Sequence, residues 1–151
     1  MPGYKTHLVG GLVVYAVGLA ALYKLTGMHV SFTAALGWFF WCILGALFPD
    51  IDVKSKGQGF MYPLILFALL FLLYKNKIIA FTVLSILSLV PLVVNHRGLF
   101  HSPIFLIGLA ALSAFYASRF FVTTDFYMMQ ILFFSLGAIS HVVLDRYTSA
   151  H

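Results

Sequence analysis

Asn95 to Pro103 reads NHRGLFHSP, the most polar run in a chain that is otherwise nearly all hydrocarbon. His96 and His101 flank a turn at Gly98, Arg97 adds a fixed positive charge, and Ser102-Pro103 matches an N-cap followed by proline at the first helical position. Imidazoles suit zinc or another transition metal, and a guanidinium suits phosphate or carboxylate. The run therefore reads either as a metal site facing an anionic substrate or, more plainly, as a polar connector whose histidines face water.

Three further pieces carry the same residue types. His141 and Asp145 are four apart, so on a helix they share a face and can hold one metal together; the plainer reading packs His141 and pairs Asp145 with Arg146. Asp50 and Asp52 follow Pro49. In an extended turn alternate residues point the same way, which would bring both carboxylates to one metal or to two adjacent ones, unless they form a solvated helix end balanced by Lys54 and Lys56. His7 stands near the N-terminus as a ligand or an interfacial anchor, while His29 and His151 have no clustered company.

Together His7, Asp50, Asp52, His96, His101, His141 and Asp145 offer seven nitrogen or oxygen ligands and no thiolate. The set suits a two-metal centre, with ions about 3.5 to 4 Å apart, better than a closed structural zinc. One or two divalent ions are expected, zinc first, with Mn and Mg also compatible. Asp52 and Arg97 are the expected catalytic residues, and Arg97, Ser102 and Lys54 the expected substrate contacts. Arg97 would stabilise charge on a phosphoryl group, while Lys54, Lys56 or Arg146 attract it. Ser102 can donate to an oxyanion or cap its helix, and the cap is favoured.

Something must position these residues, and composition says what. Of 151 residues, 62% are hydrophobic and only 9% charged, with a mean hydropathy of +1.02. Soluble domains have about a quarter of their residues charged, so this is a polytopic membrane protein. The apolar runs are continuous, without the alternation of a membrane β-barrel. The expectation is an all-α bundle of about six spans forming a single integral-membrane domain over residues 1–151, bounded near Leu8 to Tyr23, Phe32 to Phe48, Phe60 to Tyr74, Ile78 to Val94, Ile104 to Ser118 and Phe126 to Leu144. The first run lacks a small-residue cleavage site, so it reads as a retained helix rather than a signal peptide. The short Lys75-Asn76-Lys77 turn makes the third and fourth runs an antiparallel hairpin, and Pro91 should kink the fourth near its end. Cys42, alone in an apolar run, reads as packing. The net charge of +5 sits at span ends, which fits lipid head groups rather than nucleic acid. Gly10, Gly11, Gly18, Gly37 and Gly45 would permit close helix contacts.

Parity then sorts the chemistry. If all six runs cross, the N-terminus, the second and fourth connections and the C-terminus share one side, and all four polar pieces fall there. The chain has no Glu and four Asp, of which Asp50, Asp52 and Asp145 lie on that side. An ionisable cluster near membrane depth marks function by default.

At the FPDID, HRGLFHS and SHVVLD runs, with His7 near the start, the chain resembles the YdjM-like family, described as inner-membrane metal-dependent hydrolases. That family is distantly similar to zinc-dependent phospholipase C and single-strand nucleases, which are helical and hydrolyse phosphoesters with clustered metals; their His-x-x-x-acid pair is similar to His141 and Asp145. The resemblance implies an inner-membrane metal-dependent hydrolase of phosphoesters, lipid head groups among them, with the bilayer as its setting. A divalent-metal carrier or sensor and a metal-stabilised scaffold without turnover are the alternatives. Ligands at span ends argue against a carrier, whose site would lie near the midplane. The count of cations, five on the motif side against four, points to a cytoplasmic site.

Overall fold

A computed structural model describes residues 3–52, 55–93, 100–120 and 124–149. Among the described residues six α-helices follow one another: α1 (Tyr4–Thr26), α2 (Phe32–Leu47), α3 (Lys56–Tyr74), α4 (Ile78–Val93), α5 (Pro103–Phe120) and α6 (Thr124–Ser149), with a 3-10 helix over Phe48–Asp52 extending α2. There is no strand among the described residues. Apolar runs in lipid leave the backbone no water to bond, so each must satisfy its own N–H and C=O groups as a helix. Among the described residues four stretches are long and apolar enough to cross a bilayer, Tyr4–Thr26, Phe32–Asp52, Lys56–Tyr74 and Asp125–Thr148, while Ile78–Val93 and Pro103–Arg119 are shorter. At about 1.5 Å per residue the 16-residue α4 reaches about 24 Å, short of the hydrocarbon thickness of about 30 Å.

Local chemistry sets the helix ends. Ser31 and Ser55 cap α2 and α3 by accepting from Ala34 N and Gln58 N, and α1 stops at Gly27, whose φ of 65° is a left-handed C-cap. The expected hairpin turn holds: Asn76, with φ 52°, reverses the chain between α3 and α4, and the Tyr62 hydroxyl donates to Ser88 O at 3.0 Å across the pair. Pro91 lies within α4, two residues from its end.

Large apolar side chains such as Val17, Phe67, Ile79, Ile104 and Leu112 point outward, a continuous apolar surface that a bilayer covers. The most extensive interior contact joins α2 and α6, with α1 and α5 packed on α6. A Cβ on Gly45 would collide with the carbonyl of Phe134, and one on Gly137 with the carbonyl of Cys42. Backbone therefore meets backbone at this crossing, as membrane helices do where side chains are absent. Gly37, by contrast, has nothing within 4 Å of the position a Cβ would take. Cys42 is fully buried and its thiol donates to Gly11 O at 3.4 Å, in keeping with a packing role.

Candidate metal centre

The helix ends deliver the chemistry to one place. His7 lies in the second turn of α1 and is 2% exposed. Asp50 follows Pro49 in the 3-10 helix, His101 lies two residues before α5, and His141 and Asp145 lie one turn apart on α6. Phe48 and Phe100 meet edge to face at 5.6 Å, and Phe48 also meets Phe134 at 5.3 Å. This aromatic wedge ties the turn bearing His101 to the segment bearing Asp50 and to α6.

His141 is the hub. Its Nδ1 lies 2.7 Å from the Ala46 carbonyl, so that nitrogen carries the proton and donates, leaving Nε2 as the free donor atom. His7 stacks on the His141 ring at 3.6 Å with 12° between planes, and His101 stands edge-on to it at 5.4 Å. His141 Nε2 is 3.4 Å from Asp50 Oδ1 and 3.4 Å from Asp145 Oδ2. His101 Nε2 is 3.7 Å from Asp50 Oδ1 and 3.3 Å from Asp145 Oδ2. The other oxygen, Asp145 Oδ1, lies 3.4 Å from His7 Nε2.

These separations suit a cation. Zinc bonds of about 2.0–2.1 Å place tetrahedral ligands about 3.3–3.4 Å apart, close to the 3.3–3.7 Å between the two imidazole nitrogens and the two carboxylate oxygens. Two overlapping groups, His7 with His141 and Asp145, and Asp50 with His101 and His141, each bring three donor atoms within 4.8 Å of one another. His141 Nε2, both nitrogens of His101 and Asp145 Oδ1 are buried without a hydrogen-bond partner among the described residues. Orphaned buried polar atoms are costly, and several converging on one point fit an ion better than a packed core. Burial, with His141 beside it, holds His101 below the ordinary histidine range, although Asp52, Asp145 and Asp50 pull the other way. That direction favours the neutral imidazole, the form that binds metal.

The extended turn expected after Pro49 is not what the chain forms. Phe48–Asp52 is a 3-10 helix, not an extended turn, and with three residues per turn positions two apart point to different sides. Asp50 enters the cluster, whereas Asp52 belongs to neither three-ligand group. Asp52 still acts electrostatically on His101, and both its oxygens are buried without a hydrogen bond among the described residues. Ser102 caps α5 by accepting from Phe105 N at 3.5 Å. His96, Arg97 and Lys54 lie outside the described residues. At the opposite end of the bundle, His29 meets Tyr23 edge-on at 5.8 Å. Sequence reasoning missed Gly137 and the Ala46 carbonyl. The available signal was the small pair Gly137-Ala138 four and three residues before His141, matching Gly45-Ala46 on α2.

A family model described as YdjM inner membrane protein matches residues 1–150. No curated protein and no solved structure matches the chain.

Proposed function

The chain belongs to the YdjM inner membrane protein family, an integral protein of the inner membrane, and from that premise we propose a metal-dependent hydrolase of phosphoesters, phospholipid head groups among its substrates. The observation that carries the proposal is the convergence of three imidazoles and two carboxylates, from four separate helix ends, on one buried cluster. Charged and unpartnered groups are expensive at the edge of a bilayer, and a functional cation is the most direct reason to gather them.

A divalent ion held there supplies Lewis-acid chemistry, activating water and polarising a phosphoryl oxygen. His101, His141, Asp50 and Asp145 would hold the first ion, and the two carboxylates balance its charge. Because His141 Nδ1 is committed to Ala46, that side chain offers a single donor and its ring cannot turn away. Asp145 turns its second oxygen to His7, and these two side chains would hold a second ion or meet a substrate oxygen. In this reading Asp52 would accept a proton from the attacking water and Arg97 would neutralise charge on the phosphoryl group. The His101, Asp50 and Asp145 side chains are 12–16% exposed, enough for a head group to reach them from the membrane face.

One observation favours a second reading. Four protein donors around one point can close a coordination shell, which is the mark of a structural centre. Cobalt substitution separates the two. In an open centre the Co²⁺ absorption shifts on adding inorganic phosphate, and the purified protein hydrolyses phospholipid or a chromogenic phosphodiester. A spectrum indifferent to phosphate, with no turnover across monoesters, diesters and phospholipids, would leave the structural centre standing and remove the hydrolase.

A further inference from the structure

Asp50 and Asp145 together cancel the charge of one divalent ion, and Asp52 adds a further negative charge nearby. With one ion bound the cluster carries no net positive charge, so long-range attraction of an anion falls to the cationic side chains at its rim. Lys5, Lys56 and Arg146 are exposed at this end of the bundle. Lys56 is fixed between two of the elements that bear the candidate ligands. On one side its Nζ lies 4.8 Å over the ring of Tyr4, and Tyr4 stands three residues before His7 on α1, hence on the same face. On the other side, the preceding residue Ser55 donates its hydroxyl to Asp50 O at 3.2 Å, and Gln58 Nε2 donates to Ile51 O at 3.1 Å. Gly57 completes this contact: a Cβ there would lie 3.4 Å from Asp50 Cβ and 3.3 Å from Leu47 O. The first turn of α3 thus lies against the segment that carries Asp50.

We infer that Lys56, seated on Tyr4, is the group that captures a phosphate-bearing anion for the His/Asp cluster. The ring holds the ammonium by its face and leaves N–H donors for an anion. The adjoining N-terminus of α3 adds a partial positive charge of its own. A phosphate can come from a lipid head group or from solution, and the two sources share this chemistry. The inference rests on the hydrolase reading above and specifies how that site recruits its substrate.

The test uses the full chain loaded with Co²⁺ in a sugar-headgroup detergent, titrated with inorganic phosphate and followed by the Co²⁺ absorption. Lys56→Gln is expected to weaken apparent phosphate affinity about tenfold or more, since it removes a charge-assisted hydrogen bond. Lys56→Arg should stay close to wild type, and Tyr4→Leu should fall between. Bound Co²⁺ should be the same in all four proteins, which separates anion capture from a merely structural clasp. In nanodiscs of phosphatidylglycerol, a spectral shift without added phosphate that Lys56→Gln abolishes identifies the lipid head group; a shift only with free phosphate identifies the soluble source. Lys56→Gln that holds Co²⁺ and responds like wild type in both settings overturns the inference while leaving the centre intact. Wild-type protein that takes up no Co²⁺ overturns the centre and this inference with it.

Discussion

The α2–α6 pair and the α3–α4 hairpin are both apolar helix pairs in one bilayer, yet they are packed to different standards. The hairpin is antiparallel, joined by three residues, and held by its tether, by apolar contact and by the Tyr62–Ser88 bond. The α2–α6 pair has no short loop to fix its register, and three helices separate the two in sequence. It is parallel, Cys42 facing Gly137 and Ala46 facing His141. Glycines let the two backbones touch, so steric fit sets the register that brings the His141 imidazole to the Ala46 carbonyl. Lipid surrounds both pairs and drives neither together, so close packing appears where a polar group must be aimed.

Substituting at the crossing should break this contrast most severely. Gly137→Leu drives a branched side chain into the Cys42 carbonyl and is expected to cost about 3 kcal/mol or more and to strip bound metal. Gly37→Leu, at a position with open space beside it, should change stability by less than about 0.5 kcal/mol. Thermal unfolding in detergent with parallel elemental analysis reads both, and equal effects would show that the crossing is not special. Next in size is His141→Ala, which removes a metal donor and the bond to the buried Ala46 carbonyl. Metal affinity should fall at least about a hundredfold, measured by chelator competition.

The sequence carried the gathering of the site but not its aim. Four polar pieces at alternate ends of six apolar runs put His7, Asp50, His101, His141 and Asp145 on one side if all six cross, and the structure gathers these five at one end of the bundle. The i, i+4 spacing of His141 and Asp145 was likewise legible, since α6 runs unbroken past both. The choice between Asp50 and Asp52 was not, because a 3-10 helix and an extended turn differ by backbone dihedrals that Pro49 permits in either form. Gly45 and Gly37 look alike in sequence. Only the position of α6 distinguishes them, and that follows from contacts between residues about ninety apart.

Smaller effects sharpen the comparison. Phe100 is 4% exposed and wedged between Phe48 and Phe105. Phe100→Leu should cost about 1–2 kcal/mol and loosen the His101 turn, lowering metal affinity with little loss of folded protein. The smallest change belongs to the hairpin. Tyr62→Phe removes its bond to Ser88 and should cost about 0.6 kcal/mol, the usual worth of such a bond between membrane helices, while metal content stays constant. Metal loss in Tyr62→Phe would mean that the hairpin and the centre are not independent.

The central claim is that the gathered histidines and aspartates hold a metal ion, and elemental analysis of purified protein never exposed to chelator tests it most directly. One or two divalent transition-metal ions per chain are expected, lost in both His101→Ala and Asp145→Ala while each variant remains folded and monodisperse. No bound metal in the wild type, or full occupancy in both variants, would contradict it and reduce the cluster to buried polar packing at a membrane edge.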